Sequence, residues 1–516
     1  QALATALMKP THPTLKSILL RCAIALVAGA SVTLALAPFT LWPVAAISPA
    51  VLWLLWHFSE RSLTPLLGWF YGLGLFGAGA SWVYVSIHQF GNASATLAAS
   101  LTLLFCGLLA LLFVVMAFVY RRLLWNRPLS LTHALAFTGL WVLNEWLRTW
   151  LLTGFPWLFI GYGLIDTPMA SIAPVTGVLG LSFVLCGLGC LWALALFRRT
   201  VLHLSAAVGA SIGIAVISTS LASIDWTSPS GEIRTVAIVQ PNTSQAIKWN
   251  PRYYEAILSQ LDELTLQALP GDIVIWPEAA VPALYHRALQ DIDPMVQRIE
   301  QNDQALISGV PFANRATERY HNSISVFAGG EGLYHKQRLV PFGEYVPLDF
   351  ALRGLIDFFD LPMSNFSSGD SYQAPLWAQE QIIAPSICYE IVYPDLVARG
   401  ARGTDWLLTI SNDAWFGDSI GPIQHLQMAQ MRAAETQRYL VRGTSNGISA
   451  IVSPQGKIVT RSDQFVPALI RGEVHARSGS TPFMQAGSTP VLVLSLIALL
   501  YGRQRPLQDP ALKGKN

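Results

Sequence analysis

Charge is what this chain has least of: Asp, Glu, Lys and Arg make up 12% of its 516 residues, against roughly 25% in soluble domains. With 52% hydrophobic residues and a mean hydropathy of +0.43, that scarcity excludes an ordinary soluble protein and points to a membrane protein. A formal net charge of +2 removes the electrostatic case for nucleic acid. There is no G-x-x-x-x-G-K-[ST] loop and no Cys/His cluster with zinc spacing, so no nucleotide, metal or other cofactor is expected. Cysteine is scarce too. Cys22, Cys106, Cys186 and Cys190 lie in apolar segments of the first two hundred residues, and only Cys388 lies elsewhere, without a disulfide partner in its own region.

What is present in quantity is apolar runs. Spans of near-bilayer length are expected at 17–36, 41–57, 64–86, 93–119, 131–151, 170–197 and 202–222, with an eighth at 490–502. The first is long enough to stay as an anchor rather than be cleaved as a signal. The seven residues before Met8, QALATAL, read as a remnant ahead of the native start. Lys and Arg cluster at Lys9, Lys16 and Arg21, at Arg61, at Arg121, Arg122 and Arg127, at Arg198 and Arg199, and after the last span. The alternate connections are nearly free of them. This bias puts both termini in the cytoplasm and 224–485 on the outer side. The expected domains are a tail at 1–15, about seven membrane helices over 16–223, an outer domain at 224–485, a last membrane helix at 486–503 and a tail at 504–516. Asn144, Glu145 and Arg148 stand inside the fifth span; Glu145 and Arg148, three apart on a helix, are expected to pair. The Gly-, Pro- and aromatic-rich run at 153–163 suits an irregular interfacial segment.

Between 224 and 485 short β-rich runs alternate with amphipathic helices. Strands are expected at 233–240, 272–276, 305–309, 322–327, 382–387, 405–410 and 447–453, and helices at 252–268, 285–301, 393–401 and 422–442. That alternation implies a layered α/β domain. Three motifs stand at the ends of its elements: IWPEAAVP with Glu278, YHKQRLVPFGEYVP with Lys336 and Glu344, and SICYE with Cys388. A thiol is mostly protonated at neutral pH and needs a base or a nearby cation. Glu278 suits the base and Lys336 the cation, and Lys336 with the Tyr389 N–H can hold an oxyanion. Plain alternatives stand beside these: Glu278 as a helix cap, Lys336 as a surface charge, Glu344 paired with Arg338, and Cys388 as a buried structural thiol.

The three motifs together resemble the nitrilase superfamily, and the whole chain resembles the bacterial apolipoprotein N-acyltransferase family. The resemblance implies an αββα sandwich with Glu278 as general base, Lys336 as oxyanion stabiliser and Cys388 as nucleophile. It adds Trp249 in IKWNP, Glu344, and Tyr389 and Glu390 beside the nucleophile, with Trp415 of SNDAWFG at the pocket. The implied reaction takes an acyl chain from a phospholipid, through a cysteine thioester, to the N-terminal amine of a diacylglyceryl-lipoprotein at the bacterial inner membrane. The segment 347–362 is then a candidate mobile lid or a core-packing helix. Two other functions fit parts of the sequence: a membrane-anchored amidase, served equally by the same triad, and a transporter with a ligand-binding outer domain, which leaves the three motifs unexplained.

Overall fold

The structure is a computed structural model that describes residues 14–341, 343–345 and 366–503. Its helical part begins with α1 (Leu15–Ala35), α2 (Pro43–Phe58), α3 (Thr64–Gly79), α4 (Ala95–Leu123) and α5 (Leu131–Leu147), followed by α6 (Ala173–Arg198) and α7 (Val201–Ala222). Short polar residues set several of the starts. Thr14, Ser94, Ser130 and Thr200 each accept a bond from the backbone N–H three residues on, satisfying a donor that the first helical turn leaves open.

Eight apolar helical segments therefore lie near the eight expected spans, but eight crossings are not shown. Four helices, Leu15–Ala35, Ala95–Leu123, Pro168–Arg198 and Val201–Ala222, are long and apolar enough to cross a membrane, and a fifth exists only if a bent pair is one span. That pair is α3 with the turn Val83–Phe90, at 63° to it. Length limits α2: its 16 residues reach about 24 Å at ~1.5 Å per residue, short of a ~30 Å hydrocarbon core. α5 is short as well, at 17 residues, and is polar at its C-terminal end, with Glu145 in the last turn and Arg148 at the cap.

Thirteen described strands form two sheets. The first runs in the order β13 (Ala468–Gly479), β1 (Thr227–Gln240), β2 (Ile273–Ile275), β3 (Ala305–Asn314), β4 (Arg319–Ala328), β6 (Leu333–His335). The second runs β12 (Ile458–Arg461), β11 (Ala450–Val452), β10 (Leu440–Thr444), β9 (Trp406–Ser411), β8 (Gln381–Ile387), β7 (Leu376–Ala378), β5 (Gly330–Glu331). Strand alternation sorts side chains between layers. Val236 and Ile238 of β1 meet Ile383, Ile387, Leu408 and Ile410 of the other sheet, whereas Ala237 and Val239 turn outward. Those outward residues pack on α8 (Tyr254–Thr265), α9 (Tyr285–Asp291) and α10 (Asp293–Gln301). Across the sandwich, Ala384, Leu407 and Leu440 face α11 (Pro394–Gly400) and α12 (Gly421–Thr436). The expected αββα sandwich is what the chain forms. After β13 come α13 (Pro482–Ala486) and α14 (Thr489–Gly502).

Two expectations are corrected. The helix expected over 422–442 stops at Thr436, because Gln437 turns left-handed (φ 45°) and caps it; Leu440–Thr444 is then a strand buried along its length. The helix expected over 285–301 is two, broken at Ile292, two residues before Pro294, which is tolerated in the first turn of a helix and disfavoured in its interior. The candidate lid at 347–362 lies within 346–365, outside the described residues.

The two parts share one apolar core. It runs from Val32, Trp56 and Leu185 in the helices to Tyr389, Ile391, Phe416 and Leu426 beside the second sheet. Hydrogen bonds stitch the same face: Trp157 Nε1 to Gln424 Oε1 at 2.8 Å, the Ala37 N–H to Gln427 Oε1 at 3.1 Å, and the Val178 N–H to Glu435 Oε1 at 2.8 Å.

Candidate active site

Glu278, Lys336 and Cys388 lie at or just beyond the ends of β2, β6 and β8, as three residues must if distant strands are to deliver side chains to one place. Glu278 comes off β2 on a turn pressed against β3. A Cβ on Gly309 would stand 2.7 Å from the Glu278 Cα, so only glycine admits that approach. Its carboxylate accepts from Asn322 Nδ2 at 2.7 Å and from the Asn412 N–H at 2.7 Å. Both bonds aim it.

Lys336 follows β6 and is buried. Its Nζ lies 2.8 Å from Glu344 Oε2 and 3.8 Å from Glu278 Oε1. Burial works to lower its pKa, but the charges of Glu344 and Glu278 outweigh burial and raise it, which favours the ammonium. Glu344 also accepts from the same Asn322 amide at 2.9 Å and from the Val340 N–H at 2.9 Å. The pairing of Glu344 with Arg338, considered from sequence, is not what forms; the partner is Lys336.

Cys388 ends β8 in a left-handed conformation, φ 51°. For a residue with a Cβ this strain is of order 1–3 kcal/mol. The thiol is half-buried and forms no disulfide. Burial and then the Glu278 charge push its pKa up to about 12, while Lys336 pulls it back. That mutual influence marks the three groups as neighbours.

Glu390 carries the strained turn. Its oxygens accept from the N–H groups of Ile387 (2.8 Å), Gln337 (2.6 Å) and Arg338 (3.2 Å), and from the Tyr334 hydroxyl at 3.0 and 3.1 Å. It ties the Cys388 turn to the Lys336 loop. Tyr389 and Tyr393 anchor the turn on the helical part, donating to the Gly154 carbonyl at 3.1 Å and the Thr153 carbonyl at 2.9 Å. Trp415 lies further out, its ring 5.5 Å from Phe90 and its carbonyl taking a 2.7 Å bond from Ser86. Trp249 is half-buried at the end of the turn Gln245–Lys248.

Sequence reasoning missed Lys248, whose Nζ donates to the Glu278 carbonyl at 3.0 Å and whose pKa burial lowers to about 8. It also missed Asn322, Asn412, Asp413, His425 and Arg442. One signal was available for Arg442: a lone cation inside the apolar run YLVRGT. No group of three or more His, Cys, Asp or Glu among the described residues is arranged to hold a metal ion.

Carboxylates, an ammonium and a thiol at the strand ends of a two-sheet sandwich, mounted on apolar helices, define a membrane protein bearing a carbon-nitrogen hydrolase domain. The Carbon-nitrogen hydrolase family model matches residues 235–483, and that of the Apolipoprotein N-acyltransferase N-terminal domain matches 28–191. The chain is 45% identical to an apolipoprotein N-acyltransferase of Pseudomonas syringae pv. tomato, over 93% of this chain and 95% of that one. Against the enzyme of the same name from Coxiella burnetii it is 38% identical, over 92% and 98%. The chain belongs to the apolipoprotein N-acyltransferase family. The solved structure of Saccharomyces cerevisiae Nit3, a member of branch 10 of the nitrilase superfamily, covers 55% of this chain and 99% of its own, at 18% identity and a TM-score of 0.37.

Proposed function

We propose that Cys388, Glu278 and Lys336 carry out the N-acylation of lipoproteins, with a membrane phospholipid as acyl donor and the α-amine of an N-terminal S-diacylglyceryl-cysteine as acceptor. The observation that supports it most is the neighbourhood of one thiol, one ammonium and two carboxylates at the end of β8. In the first half, Cys388 Sγ attacks the ester carbonyl carbon as its proton passes to Glu278. The carbonyl oxygen takes up the negative charge and is held by Lys336 Nζ and the Tyr389 N–H. Collapse breaks the bond to the glycerol oxygen, which leaves with the proton from Glu278 as lysophospholipid. A thioester remains on Cys388. In the second half the α-amine attacks that thioester, its proton passes to Glu278, the C–S bond breaks and the proton returns to Sγ. An amide and a free thiol result, and no nucleotide is consumed because thioester to amide is downhill.

Glu344 keeps Lys336 in place, and Glu390 holds the turn that carries Cys388. Trp249, Trp415 and Tyr389 line the approach. The tyrosine bonds to Thr153 and Gly154 support a site that opens toward the acyl chains of the bilayer. For the chain as a whole we propose eight crossings, with domains at 16–223, 224–485 and 486–503, both termini cytoplasmic and the sandwich on the periplasmic side of the bacterial inner membrane. The Lys and Arg distribution and the eight apolar helical segments support that arrangement.

Intact-protein mass spectrometry tests the chemistry. Wild-type protein mixed with phospholipid alone gains one acyl mass located on Cys388, Cys388→Ser gains none, and Glu278→Gln gains it about 100-fold more slowly. Turnover with an unmodified Cys388 would remove the covalent route.

A further inference from the structure

Behind the nucleophile lies a buried polar chain that these acyl-transfer steps do not use. Ser411, at the end of β9, donates to Asp413 Oδ1 at 2.6 Å. Arg442 on β10 donates to Asp413 Oδ2 at 2.6 Å and stands 3.0 Å from His425 Nδ1 on α12. His425 Nε2 in turn lies 3.2 Å from the backbone carbonyl oxygen of Cys388. All four side chains are buried.

The partners fix the tautomer. A guanidinium only donates, so Nδ1 accepts; a carbonyl oxygen only accepts, so Nε2 carries the hydrogen. Asp413 Oδ1 also approaches Nδ1, at 3.3 Å, farther than the Arg442 nitrogen at 3.0 Å, and a neutral ring whose one N–H is committed to the Cys388 carbonyl has no hydrogen at Nδ1 to donate to it. Burial and the Arg442 charge lower the pKa of His425, and Asp413 acts against them, so the ring stays neutral. Asp413 itself is held well below the usual carboxylate range, the Arg442 charge outweighing burial.

Peptide geometry carries this arrangement into the site. The Cys388 C=O and the Tyr389 N–H belong to one planar trans unit and point in opposite directions. A donor that holds the oxygen from behind therefore sets where the N–H aims, and an amide whose carbonyl already accepts a bond is the better donor. On the other side of Cys388, Glu390 holds the Ile387 N–H.

We propose that His425 is a positioning residue for the oxyanion site: its Nε2–H, bonded to the Cys388 carbonyl, aims the Tyr389 N–H at the oxygen of the tetrahedral intermediate, while Asp413 and Arg442 fix its tautomer. The proposal rests on the reading of Cys388 as nucleophile and of the Tyr389 N–H as oxyanion donor.

Two reactions of Cys388 separate this role from a general structural one. Acylation by phospholipid passes through an oxyanion; alkylation by iodoacetamide does not. His425→Asn is too short to reach the Cys388 carbonyl, whereas the terminal amide of His425→Gln reaches the place of Nε2. The expected result is acylation about 100-fold slower in His425→Asn, in the range for losing an oxyanion donor, with alkylation within about threefold of wild type and at least about a tenfold recovery in His425→Gln. The proposal is overturned if acylation in His425→Asn stays near the wild-type rate, if acylation and alkylation fall together, or if Gln and Asn behave alike. Should His425→Asn not fold, His425→Leu takes its place in the same comparison. A wild-type protein that gains no acyl mass on Cys388 defeats the nucleophile reading instead, a separate outcome.

Discussion

Cys388 sits where a thiolate is disfavoured. Burial and the neighbouring Glu278 charge together outweigh the pull of Lys336 and push its pKa up to about 12, so the group at rest is a thiol, and in the proposed reaction its proton leaves only during attack. A free cysteine titrates near 8.5. Alkylation of Cys388 by a small neutral reagent is accordingly expected to show no half-titration between about pH 7 and 9; an inflection near 8.5 would mean that the site leaves the thiol unperturbed. Glu278, Lys336 and Cys388 were legible because each stands in a short linear motif at the end of an apolar run. Asn322, Asn412 and His425 were not, because a buried amide or imidazole acquires its role only from partners many residues distant. Arg442 is intermediate: a cation inside an apolar strand announces a buried partner but does not say which.

At the scale of elements, apolar periodicity found the strands that run through the core and overran where a helix ends by capping. Nothing in the residues 437–442 is a helix breaker in itself, and the left-handed turn at Gln437 is set by the strand pairing that follows it, β10 beside β9. The edge strand β13 was missed although Ile470, Val474 and Ala476 alternate with exposed Arg471 and Glu473, because Gly472 and Ala476 leave the apolar half of the pattern with little bulk. Between elements, α12 is tied to the kink of α6. Gly177 is non-helical (φ 65°), and the freed Val178 N–H bonds to Glu435, which also pairs with Arg432 at 3.1 Å. Burial raises the pKa of Glu435 to about 7 against the pull of Arg432. A carboxyl whose folded pKa lies above its unfolded value stabilises fully below the unfolded value, and that contribution fades as pH rises through the folded one. The window is about pH 4.5 to 7, and the loss is on the order of 3 kcal/mol at ~1.4 kcal/mol per unit. Glu435→Gln abolishes this titration, so its melting temperature relative to wild type is expected to rise from pH 5 to pH 8. A difference that stays flat would show that Glu435 is ionised throughout.

Across the whole molecule, composition and the run of apolar segments were enough to read a membrane protein with one α/β domain, because both rest on averages over many residues. The number of crossings was less legible, since α2 is short, α3 bends into the next turn, and α5 carries an ion pair whose partners lie outside it. Glu145 accepts from the Ile160 N–H at 3.0 Å and Arg148 donates to the Trp157 carbonyl at 3.1 Å, so the pair organises the irregular segment under the Cys388 turn as well as bonding locally. The proposed orientation is checked by a membrane-impermeant thiol reagent on intact cells, which is expected to reach a cysteine placed at Asp463 and not one placed at Arg127; the reverse would invert the topology.

The central chemical claim is that the acyl group waits on Cys388 for an amine rather than for water. The most direct measurement follows the acyl-enzyme by intact mass after excess phospholipid is removed, with and without a diacylglyceryl-cysteinyl peptide. The expected result is a thioester that persists without the peptide and, with it, decays at the rate at which the amide appears. A thioester lost equally fast in both samples, or amide formed while Cys388 never carries the acyl mass, would contradict it.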